Sequence, residues 1–181
     1  NHLRDDLRQT TLKALNLAKH TITIHTYALT DRAILELLQK KALDGVTIHI
    51  YYHKNNNAHL TKYHKDNLYF HPILGKGLMH EKWIVIDETF CLFGTANLTP
   101  SSLSMHDNFL LGLHCPGLAK ALSKGGSTDF KQKFGDQNFE LFLLPHPNAL
   151  GKVINTLESA KKTITLALFT FTHPEIINTL L

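Results

Sequence analysis

Histidine, lysine and amide side chains occur at a fixed spacing in one short segment, between Met79 and Pro100. The segment follows the pattern His-x-Lys-x4-Asp-x6-Gly-Thr-x-Asn. Its members are His80, Lys82, Asp87, Gly94, Thr95 and Asn97. In a chain of this composition, chance would produce these six residue types at this spacing on the order of 10⁻⁵ to 10⁻⁴ times per chain. The spacing therefore indicates a functional site.

Strand geometry predicts that these residues converge. Side chains two residues apart on a strand share a face, so His80 and Lys82 are expected to point the same way. If a hairpin turns around residues 88–89, the numbers of paired residues sum to about 176 or 177, which places residues 94–97 opposite this pair. The hairpin would then gather an imidazole, an ammonium, a hydroxyl and a carboxamide in one place.

Such a group of side chains suits a phosphate. Lys82 supplies a positive charge, and Thr95 and Asn97 supply neutral hydrogen-bond donors. His80 is the residue of this set that can attack phosphorus or carry a proton near neutral pH. The sequence therefore predicts a site that binds a phosphate and acts on it.

Two further motif residues are predicted to serve the structure. Asp87 lies seven residues from His80, which is roughly 20 Å along a strand, so it cannot touch the same phosphate. We interpret Asp87 as an acceptor of turn or neighbouring backbone hydrogen bonds. Gly94 is expected to leave space for a ligand to approach the backbone.

The elements around the motif are read from hydrophobic periodicity and turn signals. The order helix–strand–helix–strand predicts parallel strand pairing with helices packed on the sheet, at residues 3–19, 21–29, 31–43 and 46–52. Residues 53–67 are polar and indicate a loop or a short helix. The motif hairpin is expected at residues 78–86 and 90–93, followed by a strand at 108–114.

A second copy of this pattern is predicted after a linker at residues 120–137. A strand at 139–144, a helix at 147–160 and a strand at 163–172 are expected there. Aligning residues 21–39 with 163–181, an offset of 142, gives identity at six of 19 positions. We interpret this as an internal repeat, with a first repeat at 1–137 and the start of a second at 138–181. Two unrelated helix–strand–helix units are the alternative.

The motif resembles the signature of the phospholipase D superfamily, in which serine is commoner at the position of Thr95. Residues 25–53 (HTYALT…YYH) are similar to the strand–helix–strand that precedes the motif in that family, and residues 139–172 to the opening of its second repeat. The resemblance implies an α/β fold, a mixed β-sheet flanked by helices on both faces. It also implies phosphodiester cleavage in two steps, without a metal or other cofactor, through a phosphohistidine.

The resemblance also assigns roles to individual residues. It makes His80 the nucleophile or the general acid, and gives Lys82, Thr95 and Asn97 the phosphate oxygens. Asp107 lies about where the family places a carboxylate that holds the catalytic imidazole, so it is expected to complete the catalytic set with His80 and Lys82. A surface aspartate at the start of a strand is the alternative for Asp107.

Members of the family need two such motifs, and this chain carries one. At an offset of 142 the second histidine would fall near position 222, beyond Leu181. Either a longer parent protein supplies it, or two copies of the chain pair their single motifs as a homodimer. The restarted repeat favours the longer protein.

Composition bears on the partners. The net charge of +4 and the pI near 9.0 favour anionic partners such as phospholipid headgroups or nucleic acid, with an ordinary basic surface as the alternative. No apolar run approaches the roughly 18 residues that span a bilayer, and a cytoplasmic or membrane-peripheral location is favoured. The family resemblance implies that the polar stretch borders the substrate groove through His53, Lys54, Lys62 and Lys65, with a solvated loop as the alternative.

Three classes of function follow. We expect a phospholipase D-type hydrolase or transphosphatidylase acting on phospholipids, with a nuclease of the same superfamily as the alternative substrate class. A second class is a catalytically incomplete module that binds phosphate or nucleic acid. A third is a zinc protein using His53, His59, His64 and His71, although their spacing matches no structural zinc site. Tyr27 and Trp83 are expected in the core.

Overall fold

The computed structural model describes residues 6–74, 79–125 and 128–181, in two compact units that divide between Lys124 and Gly125. The predicted helix start at residues 3–5, the predicted strand start at residue 78 and the linker residues 126–127 lie outside the described part. The division into a first and second repeat stays a prediction.

The first unit is an alternation of helices and strands. Its helices are α1 (Leu7–Leu17), α2 (Arg32–Leu43), α3 (Pro100–Ser104) and α4 (Pro116–Ser123). Its strands are β1 (Thr21–Thr26), β2 (Thr47–His53), β3 (Leu68–Ile73), β4 (Lys82–Ile86), β5 (Phe90–Gly94) and β6 (Leu110–His114). Two short 3-10 helices, Lys54–Asn56 and Ala58–Tyr63, follow β2.

The six strands form one mixed sheet in the order β3-β2-β1-β4-β5-β6. Strands β1, β2 and β3 pair in parallel, as the strand–helix–strand pattern predicts, whereas β4, β5 and β6 continue the sheet with antiparallel pairs. Trp83 pairs with Phe93 and Ile86 with Phe90, so paired numbers sum to 176 and the predicted hairpin register is confirmed.

Alternation along the strands separates the two faces of the sheet. One face carries Ile22, Ile24, Ile48 and Ile50, which are fully buried in a cluster with the apolar residues of α1, α2 and α3. The opposite face receives α4, which packs against β4 and β5. The predicted fold class, a mixed α/β sheet with helices on both faces, is confirmed.

One strand was not predicted. Residues 68–73, Leu-Tyr-Phe-His-Pro-Ile, form β3 at the edge of the sheet and pair with β2 from Leu68 to Ile73. A proline and a histidine weaken the strand signal in the sequence, but an edge strand tolerates a proline because one of its sides makes no ladder hydrogen bonds. The polar stretch before it contains the expected short helices.

The far end of the hairpin is anchored by Asp87. Its carboxylate accepts hydrogen bonds from the backbone N–H groups of Lys19, His20 and Thr21, each at 2.8 Å. Burial by itself raises the pKa of this carboxyl, but the three amides outweigh burial and hold its pKa below 3.8. Asp87 therefore ties the hairpin turn to the start of β1, far from the rest of the motif.

The second unit is smaller. It contains the antiparallel hairpin β7 (Thr128–Phe134) and β8 (Gln137–Leu143), followed by α5 (Ala149–Glu158) and α6 (Pro174–Leu180). The linker prediction is wrong for residues 128–134, which form β7, and for the end of α4. Helix α5 begins 142 residues after α1, and α6 begins 142 residues after α2, which is the offset of the predicted repeat.

The predicted strand at residues 163–172 does not form, and Leu166, Leu168 and Phe169 are exposed. A strand needs a neighbour for its backbone hydrogen bonds, and in the described residues no strand pairs with this segment. In the part of the chain described, no helix has the length and apolar character needed to cross a bilayer.

Replacing Asp87 with asparagine tests the anchor. The amide keeps one acceptor oxygen but turns an N–H group towards a backbone donor, so we expect the free energy of unfolding of the first unit to fall by about 1–2 kcal/mol at pH 7. Because the folded-state pKa is lowered, the loss should be full above pH 4 and disappear as the pH falls through that folded pKa. Chemical denaturation across this pH range measures it.

Glu88 offers a matched control. It is the exposed neighbour in the same turn, and Glu88→Gln removes the same charge without touching the three amides. Its effect should stay within about 0.5 kcal/mol. Equal losses from the two substitutions would show that charge, and not the hydrogen bonds of Asp87, holds the turn.

Candidate active site

His80 and Lys82 meet at the ring of Tyr27. Lys82 is the first residue of β4 and pairs with Thr26, the last residue of β1. The Lys82 side chain therefore lies beside Tyr27, the residue after Thr26. The Lys82 amino nitrogen is 5.8 Å from the centre of the Tyr27 ring, and the His80 ring lies edge-on at 5.2 Å. The same amino group donates a hydrogen bond of 2.8 Å to the carbonyl of His80.

This arrangement differs from the predicted one. Strand β4 begins at Lys82, so His80 precedes it and does not share a face with Lys82 by strand alternation. The exposed segment at His80 instead brings its ring back to Tyr27, which Lys82 also contacts. The imidazole and the ammonium are therefore brought together by their shared contact with Tyr27, and not by strand alternation.

Burial lowers the pKa of both groups. It lowers the pKa of Lys82 from 10.5 to about 8. Burial and then the charge of Lys82 lower the pKa of His80 below 6.5. The lowered pKa of His80 favours its neutral form, which has a free nitrogen lone pair, while Lys82 with a pKa of about 8 is still mostly an ammonium at pH 7. This is the combination that a nucleophile beside a bound phosphate requires.

The Gly-Thr-x-Asn turn is held by a network of side chains. Thr95 Oγ1 donates to Oδ1 of Asn108 at 2.9 Å and accepts from the backbone N–H of Phe109 at 3.0 Å. Asn108 Nδ2 donates to the carbonyl and hydroxyl of Ser102, and that hydroxyl also accepts the backbone N–H of Asn97 at 2.9 Å. The network fixes the backbone from which the Asn97 side chain projects.

The network separates the two predicted phosphate donors. The hydroxyl of Thr95 donates its hydrogen to Asn108, so this residue holds the turn, and its predicted contact with phosphate stays a prediction. The Asn97 side chain is half-buried, and its Oδ1 is buried without a hydrogen-bond donor among the described residues. A phosphate oxygen is an acceptor and cannot bind to Oδ1, so Nδ2 is the atom of Asn97 that could donate to it. Asn97 is the better candidate to contact a ligand.

The structure explains the glycine at position 94 differently from the prediction. A Cβ atom at this position would overlap the carbonyl oxygen of Phe109, which leads into β6. The prediction that Gly94 leaves room for a ligand is therefore wrong, because the neighbouring backbone fills that space. Asp107 lies exposed in the loop between α3 and β6, directly before Asn108. Its role as the partner of a catalytic imidazole stays a prediction.

Of the predicted groove residues, His53 reaches the site. Its ring stacks with Tyr27, with the ring centres 5.2 Å apart. The other three, Lys54, Lys62 and Lys65, are exposed on the segment that follows β2. Tyr27, which was expected in the core, thus contacts His53, His80 and Lys82.

The histidines proposed for zinc have other neighbours. His59 bonds the carbonyl of Leu29, and His71 bonds His49 at 2.9 Å. Within residues 6–74, 79–125 and 128–181, no three His, Cys, Asp or Glu side chains form a group that could hold a metal ion. The structure therefore offers the zinc hypothesis no site in this part of the chain.

Sequence reasoning missed Tyr27, Ser102 and Asn108 as parts of the site. Tyr27 follows β1, at the end of a parallel strand where sites commonly form, and this signal could have found it. Asn108 and Ser102 carry no comparable signal, because their contacts depend on how the loop between α3 and β6 folds against β5. Trp83 is buried, as expected, with its Nε1 donating to Glu81.

Lys82→Met tests the cost of holding an ammonium here. The folded-state pKa is lowered, so charged Lys82 destabilises the fold below about pH 8, and this cost is relieved as the pH rises from about 8 to 10.5. Since the group is about half-buried, we expect a gain of up to about 1 kcal/mol at pH 7, or roughly 2–4 °C in Tm, which fades towards pH 10.5. Thermal unfolding at several pH values measures it.

The exposed Lys13 of α1 is the matched control, and Lys13→Met should change Tm little and equally at every pH. A Lys82→Met variant that is less stable at pH 7 than the unaltered chain would contradict the desolvation argument.

Comparison with known proteins identifies the family of this chain. Residues 11–130 match the family model described as cardiolipin synthase, PLD-like domain. A cardiolipin synthase of Clostridium perfringens is 28% identical over 141 residues, which are 72% of this chain and 29% of the relative. Cardiolipin synthase 1 of Bacillus cereus is 27% identical over 135 residues, 69% of this chain and 26% of the relative. The chain thus spans less than a third of these relatives' length.

Solved structures support the fold. The phospholipase D family member Nuc from Salmonella typhimurium aligns with a TM-score of 0.59 at 19% identity, over 65% of this chain and 82% of that one. NucT from Helicobacter pylori aligns with a TM-score of 0.59 at 21% identity, over 66% and 84%. Since the family match covers more than half of the sequence and includes the whole motif, this chain belongs to the phospholipase D superfamily, with a domain of the cardiolipin synthase type.

Proposed function

We propose that the protein is a phospholipase D-type phosphodiesterase that cleaves or transfers phospholipid headgroups through a phosphohistidine. The observation that carries this is the shared contact of the His80 imidazole and the Lys82 amino group with the ring of Tyr27. Family membership agrees with it, and the named relatives are cardiolipin synthases.

In the proposed reaction one motif histidine attacks phosphorus and displaces the alkoxide, while the other gives that oxygen a proton. Water or an alcohol then attacks the phosphohistidine, and the histidine that gave the proton takes one from the incoming oxygen. His80 is one of these two histidines. Lys82 binds the non-bridging oxygens, and Asn97 binds phosphate from the turn held by Thr95. Asp107 is proposed to stabilise the charged imidazole.

The second histidine must come from another motif. The shared offset of 142 between α1 and α5 and between α2 and α6 supports an internal repeat, and with it a longer protein that carries its own second motif. Pairing of two copies of this chain is the alternative. In either case residues 1–137 would form the first half of the site and 138–181 the start of the second repeat.

The proposal of a lipid substrate rests on the names of the relatives. They are named cardiolipin synthases, whereas the likeness to Nuc and NucT concerns the fold. A nuclease of the same superfamily is the alternative, which the net charge of +4 also suits. A module that binds phosphate without turnover is the second alternative, and loss of His or Lys from the second motif would favour it.

The experiment is an assay of the full-length protein on phosphatidylglycerol, phosphatidylcholine, cardiolipin and single-stranded DNA, with and without a chelator. We expect turnover of phospholipid that chelation leaves unchanged. His80→Asn should lower kcat by at least about 10³-fold, because it removes a nucleophile or general acid. Turnover of DNA alone would overturn the lipid assignment, and no turnover of any of them would favour the binding module.

Trapping at acidic pH identifies the role of His80. If His80 is the nucleophile, mass spectrometry of the trapped protein should find the phosphoryl group on His80 itself; a phosphoryl group on another histidine would make His80 the general acid. The exposed His114 on β6 is the control, and His114→Asn should keep both turnover and the trapped intermediate.

A further inference from the structure

The ring of Tyr27 is the common neighbour of three basic side chains. His80 lies edge-on at 5.2 Å, the Lys82 amino nitrogen is 5.8 Å from the ring centre, and His53 stacks at 5.2 Å with 23° between the ring planes. Tyr27, His53 and the pair His80 and Lys82 come from three separate places in the sequence. Tyr27 is therefore the side chain that connects the proposed nucleophile to the proposed phosphate-binding cation.

The backbone that carries Tyr27 is held by a buried amide. Asn57 has no exposed surface, and its Nδ2 donates to the carbonyls of Tyr27 at 2.7 Å and His53 at 2.8 Å. Its Oδ1 accepts the backbone N–H of Leu29 at 2.9 Å. Both of its N–H groups and its oxygen are thus bonded to main chain. The carboxyl ends of β1 and β2 are tied together at the two residues whose rings stack.

A second set of hydrogen bonds connects this segment to the motif turn. Leu98, the neighbour of Asn97, donates its N–H to the carbonyl of Ala28 at 3.0 Å. The Leu98 carbonyl accepts the N–H groups of Thr30 and Asp31, each at 3.0 Å. The chain from Tyr27 to Asp31 is therefore held both by Asn57 and by Leu98, and it directly follows strand β1.

A fixed aromatic ring in this place has two effects. Its face attracts an ammonium, and its bulk keeps water away from one side of the two basic groups. Burial is the cause of the lowered pKa of Lys82 and the first cause of the lowered pKa of His80. A Tyr27 ring that rotates freely would no longer exclude water from His80 and favour its neutral form. His80 and Lys82 would also lose the alignment that attack on phosphorus requires.

We propose that Tyr27 is a positioning residue of this site, held by Asn57, which orients His80 and Lys82 towards a substrate phosphate. This inference rests on the proposed function for its catalytic part, but its structural part concerns the titration of Lys82 and His80. The two parts can therefore be measured separately.

The test compares Tyr27→Ala with Tyr27→Phe in the full-length protein. The alanine opens one side of the site to water, so the pKa of Lys82 should rise from about 8 towards 10.5 and that of His80 towards 6.5. We expect kcat to fall about 10- to 100-fold with little change in KM, because orientation is lost while the binding groups remain. Phenylalanine keeps the ring and should restore kcat to within about threefold.

Lysine and histidine titrations followed by NMR give the readout that does not depend on turnover. If Tyr27→Ala does not fold by circular dichroism, Tyr27→Leu keeps the apolar bulk without the ring, and the same loss of kcat with rescue by phenylalanine is expected. Tyr63 is the matched control, since its ring is 5.3 Å from the amino nitrogen of Lys62. Tyr63→Leu should change neither the Lys82 titration nor kcat.

The outcomes separate the two proposals. Altered Lys82 and His80 titrations in a protein that turns over no phosphodiester would support the positioning role and overturn the proposed function. A folded Tyr27→Ala or Tyr27→Leu variant with unchanged titrations and unchanged kcat would overturn the role of Tyr27. A loss that phenylalanine does not rescue would also overturn it, because the hydroxyl and not the ring would then be responsible.

Discussion

The register of the β4–β5 hairpin is the constraint on which the site depends. Asp87 binds three backbone amides at the start of β1 and fixes the turn end of the hairpin. Five residues along β4, the same register places Lys82 beside Thr26 at the other end of β1. A shift of one residue would turn Lys82 to the opposite face of the sheet and bury Trp83 on the wrong side. The aspartate of the motif thus acts on the chemistry from a distance, through strand pairing.

Placing an ammonium beside an imidazole in a half-buried site has a cost. Lys82 is largely charged at neutral pH although burial lowers its pKa to about 8, and its amino group finds a carbonyl and an aromatic face as neighbours. Sites that must bind a charged substrate commonly hold such groups, because interactions strong enough to bind the ligand cannot be fully satisfied before it arrives.

Much of the fold could be predicted because its signals are local. The predicted helix α2 and the predicted strands β1, β2 and β4 are confirmed, together with the hairpin register. The missed strand β3 and the absent strand at 163–172 show the limit of this reasoning. A proline-containing edge strand forms because β2 offers a partner, whereas residues 163–172, although rich in β-branched residues, form no strand.

The sequence by itself determined the residue types of the site, the family and the hairpin, because a motif and a strand register are written in spacing along the chain. Tertiary structure alone decided how these residues are used. It brought Tyr27 to His80 and Lys82, committed the Thr95 hydroxyl to Asn108 and filled the space beside Gly94 with the backbone of Phe109. The physical reason is that these contacts join segments distant in sequence, and which donor meets which acceptor there depends on how the packed elements meet.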